Sequence, residues 1–212
     1  MAAMVALAIF LGVWQVQRLA WKTALLASID RGEAAGPVPL TDDAAAFTRV
    51  VVAGRLVPEA AIYGIEVRST ATGPAMGGQL VQPLIREGAA PVMLDLGWVP
   101  DGTMPAAAAD VRIEGYVRPP ESPIRFGAKD DPATHRFYAL DPVAMGRSLG
   151  LDHVAPFTVV ALGPDRPGMF PAPAQSLPRP VNNHLSYALT WFGIAVAGAV
   201  IFTVYARRGP TR

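Results

Sequence analysis

The chain of 212 residues has no cysteine, only three histidines, and just 17% charged residues. Without thiols there are no disulfides, Cys-ligated zinc sites, Cys-ligated iron–sulfur clusters or thiol-mediated copper chemistry. His135, His153 and His184 are far apart in sequence and do not furnish an all-protein metal cage. The balance of 18 Lys and Arg against 17 Asp and Glu leaves no electrostatic footprint for nucleic acid, so nucleic acid is not expected as a partner. There is no Walker loop, nucleophile elbow or His/Glu metal motif, and the chain reads as a non-enzyme. A soluble domain carries about a quarter charged residues. This one is 51% hydrophobic, with the apolar excess at its two ends.

Residues 185–205 contain no charge and are long enough to cross about 30 Å of hydrocarbon as a helix. Tyr187 and Trp191 near its start and Tyr205 at its end occupy positions where aromatic residues favour the interface. Arg207, Arg208 and Arg212 follow, and the positive-inside rule makes that tail cytoplasmic. The first 17 residues are apolar, without the basic start or cleavage site of a signal peptide, and read as a first transmembrane helix. The run is short, and further residues are expected before Met1. Two anchors put both termini on one side, so Arg18 and Lys22 fall on the outer face, against simple charge counting.

Between the anchors, short runs rich in Val, Ile and Leu, punctuated by Gly, Pro and Asp, predict strands at 47–56, 61–68, 78–85, 91–99, 110–118 and 157–162. Asp141, Pro142 and Gly150 predict the cap, first residue and stop of one short helix. The expected fold is α+β: two transmembrane helices flanking one antiparallel β-rich sheet or barrel with one short helix. The expected organisation is a first transmembrane helix over 1–20 and its extension and connector over 21–46. A β-rich domain over 47–162 and a Pro/Gly-rich linker over 163–181 follow, then a second transmembrane helix over 182–206 and a basic tail over 207–212. The extension is expected to end before Gly32, and the linker to be an extended spacer. Gly193 and Ala197 form a small-xxx-small pair that suits packing against the first helix or a partner.

Two segments carry the candidate chemistry. In 11–22, Trp14, Arg18 and Trp21 share a helix face, with Lys22 beside them. They read either as an aromatic and basic belt that fixes helix depth, or as a patch for a flat anionic amphiphile, Arg pairing with a carboxylate and Trp lying against a ring. In 182–191, Asn182 or Asn183 caps the second helix, and His184, Tyr187 and Trp191 share a face. His184 reads either as a solvated interfacial residue or as an axial ligand to haem iron between aromatic walls. Trp98 is expected in the core, and His135 and His153 on loops.

Several motifs together resemble the Surfeit locus protein 1 family: Leu11-Gly-x-Trp-Gln-x-x-Arg-x-x-Trp-Lys22, Phe47-x-Arg-Val-x-Val-x-Gly54, Leu94-x-x-Gly-Trp-Val-Pro100, Phe137-Tyr138 leading to Asp141-x-x-Ala-Met145, and Asn182-Asn-His-Leu-x-Tyr-Ala-x-Thr-Trp191. One departure is Asp95-Leu96, where the family usually has Asn-Arg. The resemblance implies a multi-pass protein of the cell inner membrane, with both termini cytoplasmic and the domain periplasmic. It also implies a role in cytochrome c oxidase assembly: binding haem a as transient cargo and helping its insertion into the oxidase catalytic subunit, with the haem a synthesis enzyme a further partner. His184 occupies the position of the family's haem-binding histidine. The expected haem a site lies between the two anchors, with His184 on the iron, Arg18 or Lys22 near the propionates, and Trp14, Tyr187 and Trp191 around it. The alternative is a cofactor-free membrane scaffold that holds oxidase subunits.

Overall fold

The computed structural model describes residues 2–164 and 166–207. Arg208 and Arg212 of the expected tail lie outside the described residues. Contacts divide the chain into a helical unit, Met1–Asp30 with Pro178–Arg212, and a barrel unit, Arg31–Leu177.

The helical unit holds most of α1 (Ala2–Ala34) and all of α3 (His184–Arg207), both long and apolar enough to cross a membrane. At 1.5 Å per residue, α1 is about 50 Å long and exceeds a bilayer core, whereas α3 is about 36 Å. α1 runs past the expected stop at Gly32 and ends at Ala34, just before Gly36 and Pro37. Within the barrel unit a Cβ at Gly32 would meet the Phe47 carbonyl, so the residue is small because backbone approaches it and the helix passes through.

The seam of the helix pair is lined by small residues. Ala8, Gly12, Ala188 and Ala195 are buried. A Cβ at Gly12 would come within 2.6 Å of the Phe192 ring, and one at Gly198 within 3.1 Å of Val5. The expected packing of Gly193 and Ala197 against the first helix is overturned: no atom of the opposite helix lies within 4 Å of a Cβ placed at Gly193, and Ala197 is exposed. The small residues that let the helices touch lie elsewhere on the turn. Arg179 pairs with Asp30 at 3.1 Å.

The barrel unit contains β1 (Val38–Pro39), β2 (Arg49–Leu56), β3 (Ala61–Thr70), β4 (Gly73–Ile85), β5 (Val92–Pro100), β6 (Ala109–Arg118), β7 (Arg136–Phe137), α2 (Pro142–Ser148) and β8 (Thr158–Ala161). The order β2-β6-β8-β5-β4 closes on itself through Arg55↔Ile85 and Leu56↔Leu84. β4 spans 13 residues, so one edge pairs with β3 over its first part and reaches β2 with its last. Its start at Gly73, five residues before the expected Gly78, was hidden by Gly73, Pro74, Gly77 and Gly78, which read as breakers. Gly77 is required there because a Cβ would meet the Val99 carbonyl of β5.

Val50, Val52, Leu84, Leu94, Val117, Phe157 and Val159 belong to one buried cluster, the barrel filling. Buried Gln82 closes one end: its amide donates to the Val57 and Ala106 carbonyls (2.7 and 3.1 Å) and accepts from Ala106 N–H (3.0 Å). A second cluster, Ala61, Val81, Met93, Phe137, Leu140 and Met145, packs beneath α2. Asp141 caps α2 by accepting from the Val143 and Ala144 N–H groups, each at 3.0 Å. The expected spacer at 163–181 is partly folded onto the barrel. Ala172 exchanges both backbone hydrogen bonds with Trp98, and Ala174 N–H donates to Ala161.

Candidate functional site

The helical unit carries the first candidate region. His184 opens α3 and is half-buried. Its Nδ1 lies 2.7 Å from Oε1 of Gln15 on α1. Gln15 is 8% exposed, the one buried polar residue of α1 among the described residues. Leu19 and Lys22 continue the line of Gln15 along α1, and Arg18 stands three residues on, within the i,i+3 neighbourhood. The Arg18 guanidinium lies between two indoles, 4.9 Å from the Trp21 ring and 6.0 Å from Trp14, and the Lys22 ammonium is 6.0 Å from Trp21. These exposed indoles turn a cation outward on a rigid aromatic support. On α3, half-buried Trp191 is two turns from His184, and Tyr187 is exposed.

The fold therefore brings His184 to α1, and gathers Trp14, Arg18, Trp21 and Lys22 into one stack. Because Gly12 and Phe192 touch, the gap between the anchors is closed at that level. Sequence reasoning missed Gln15. The available signal was a polar residue at i+3 from Gly12 and i+7 from Ala8, on the small-residue seam.

The barrel unit holds a second polar region, a cavity of about 450 Å³ lined by Arg68, Gln79, Asp95, Tyr116, Arg118 and Ser176 among others. Asp95 is fully enclosed. Burial pushes its carboxyl up to about 6, against the lowering effect of the Gly97 N–H and the two arginines. Its Oδ1 accepts from Gly97 N–H at 3.0 Å. That bond holds the bulge at which Gly97 takes φ 119°, and a Cβ there would strike the Ala172 carbonyl. The Leu94-x-x-Gly-Trp-Val-Pro100 pattern is thus a bulge that lets 172–174 dock, with Trp98 1% exposed beneath.

Around the cavity the cations are engaged. Arg68 pairs with Glu66 at 2.8 Å and lies 5.4 Å from the Trp98 ring. Arg118 pairs with Glu121 at 2.5 Å and donates to the Tyr63 hydroxyl at 3.2 Å. Burial and the Glu121 carboxylate raise Tyr63 to about 12. Burial alone would raise Glu121, but hydrogen bonds from Tyr63 and Arg118 outweigh it and hold the carboxyl below its usual range. This network is organised for rigidity, each charge held by a neighbour. His135 and His153 lie on loops as expected, with His135 Nδ1 3.4 Å from Ser148 Oγ.

These features define a membrane protein in which two apolar helices carry one barrel-built domain. The SURF1 family model matches residues 2–196, and the chain belongs to that family. Similar proteins include a SURF1-like protein of Rickettsia conorii, 28% identical over 210 residues that cover 94% of this chain and 87% of the relative. A SURF1-like protein of Monosiga brevicollis is 26% identical, covering 95% and 84%. Surfeit locus protein 1 of Mus musculus is 26% identical, covering 94% and 72%.

Proposed function

We propose that this chain assists assembly of a haem-copper cytochrome c oxidase by binding haem a as transient cargo at the membrane interface and passing it to the catalytic subunit. Family membership supports the assembly role. The observation that carries the haem part is the pairing of His184 Nδ1 with Gln15, which leaves Nε2 of a half-buried imidazole available at the end of the helix pair. Neutral imidazole suits haem iron, and the Arg18 guanidinium or Lys22 ammonium suits the propionates. Trp14, Tyr187 and Trp191 offer aromatic surface to the macrocycle. In this reading the protein sits in the inner membrane, both termini face the cytoplasm, the barrel unit lies in the periplasm, and the haem a synthesis enzyme stands upstream. The protein holds and releases its cargo and performs no chemistry on it.

The test is the visible spectrum of the detergent-purified protein co-produced with haem a biosynthesis, compared with His184→Ala and with Arg18→Gln combined with Lys22→Gln. The expected result is a haem a spectrum in the wild type, its loss in His184→Ala, and weaker retention in the double variant. Equal spectra in wild type and His184→Ala would remove His184 as ligand. A colourless wild type that still co-purifies with oxidase subunits would leave the cofactor-free scaffold in its place.

A further inference from the structure

The structure assigns Gln15 as a positioning residue for His184: its side-chain carbonyl holds the imidazole as the Nδ1–H tautomer and directs the bare Nε2 away from the helix seam. Put as a role in cargo binding, this rests on the haem reading above. As a statement about the ring it stands on geometry alone.

A carbonyl oxygen has lone pairs and no proton, so the ring nitrogen 2.7 Å from Gln15 Oε1 is the donor. A neutral imidazole carries one N–H, and placing it on Nδ1 leaves the lone pair on Nε2. Histidines that bind metals usually donate their second nitrogen to a carbonyl or carboxylate, which fixes both tautomer and ring plane. Gln15 supplies that acceptor from the opposite helix, and it is itself buried on the same helix as Ala8 and Gly12, where a Cβ at Gly12 would already meet the Phe192 ring. A polar side chain on an apolar membrane helix is costly without a partner. Here the partner is the histidine, so one interhelical bond both joins α1 to α3 and orients the ring. Arg18 and Lys22, three and seven residues beyond Gln15 on the same helix, are thereby kept at fixed offsets from the imidazole.

The experiment uses the full chain in detergent micelles, without haem, with ¹⁵N-labelled histidine. Long-range proton–nitrogen spectra at pH 8 are compared for wild type, Gln15→Leu and Gln15→Glu, with His184→Ala identifying the signal among three histidines. The wild type is expected to show a protonated Nδ1 and a bare Nε2. Gln15→Leu, which keeps bulk and removes the acceptor, is expected to shift the ring toward the Nε2–H tautomer, and Gln15→Glu to keep Nδ1–H. A wild-type ring protonated on Nε2, or a tautomer unmoved in Gln15→Leu, would overturn the assignment. Haem a titration of the same proteins supplies the second readout: affinity lower by roughly 10- to 100-fold in Gln15→Leu and restored in Gln15→Glu. If His184→Ala binds haem a like the wild type while the tautomer responds to Gln15, the haem reading fails and the positioning stands. If His184→Ala loses haem a but Gln15→Leu retains both affinity and tautomer, positioning fails and the haem reading survives.

Discussion

In the barrel unit the largest side chains withdrawn from solvent are Trp98, Phe137, Leu80, Leu84, Met93, Leu94, Leu140 and Met145. In the helical unit the buried residues are Ala8, Gly12, Ala188 and Ala195 with Gln15 and Ile29, while Leu7, Phe10, Ile194, Val196 and Phe202 point outward. The difference follows from the solvent each unit answers to. Water expels large apolar side chains into a core. Hydrocarbon has no such preference, so helices associate through small residues, close backbone approach and hydrogen bonds across the seam. One polar residue in each unit shows the contrast. Gln82 in the barrel is satisfied by backbone groups and seals one end. Gln15 in the seam is satisfied by a histidine and orders a candidate ligand.

The comparison breaks most visibly in the barrel. Phe137→Ala removes a fully buried ring from the cluster beneath α2 and is expected to cost about 3–5 kcal/mol. Thermal unfolding followed by strand circular dichroism reads this, and an unchanged midpoint would remove the assigned cluster.

Asp95→Asn sharpens the comparison through pH. The folded carboxyl titrates near 6 against an ordinary value of 3.8, so the folded protein binds the proton more tightly than the unfolded chain. Its stability contribution is fully present below about pH 4 and is lost as the pH rises through about 6. A shift of about two units corresponds to roughly 3 kcal/mol. Asparagine keeps an oxygen for the Gly97 N–H without the charge. The variant should therefore be more stable by up to about 3 kcal/mol at pH 8 and nearly equal to the wild type at pH 4, as measured by denaturant unfolding at both pH values.

In the seam, Gly12→Leu drives a side chain into the Phe192 ring and is expected to cost about 1–3 kcal/mol. Gly193→Leu, on an open side of α3, should change stability by less than about 0.5 kcal/mol. Unfolding of the helical unit in detergent compares the pair, and equal effects would remove the assigned seam.

Much of the fold was legible from local pattern. Short runs rich in Val, Ile and Leu, bounded by Gly, Pro and Asp, marked all six main strands to within a few residues except the start of β4, and the Asp141-Pro142 pair marked α2. The anchors were legible from length and the absence of charge. Of the candidate site, His184 and the Trp14, Arg18, Trp21 stripe were legible because a helix fixes which residues share a face. Gln15 and Asp95 were not. Their roles depend on partners 169 residues away, in His184, and on a bulge closed by a later segment, at Ala172.

By itself the sequence determined the place of the two apolar helices, the main strands and the capped helix, because each follows from side-chain pattern, turn residues and hydropathy over a few neighbours. Only the tertiary structure decided that β4 reaches back to β2 to close the barrel and that 172–174 docks on Trp98. It alone decided that Gly12 rather than Gly193 meets the opposite helix, and that Gln15 faces His184. Each of those is a choice of register or rotation between segments distant in the chain, and local periodicity leaves such choices open until backbones come into contact.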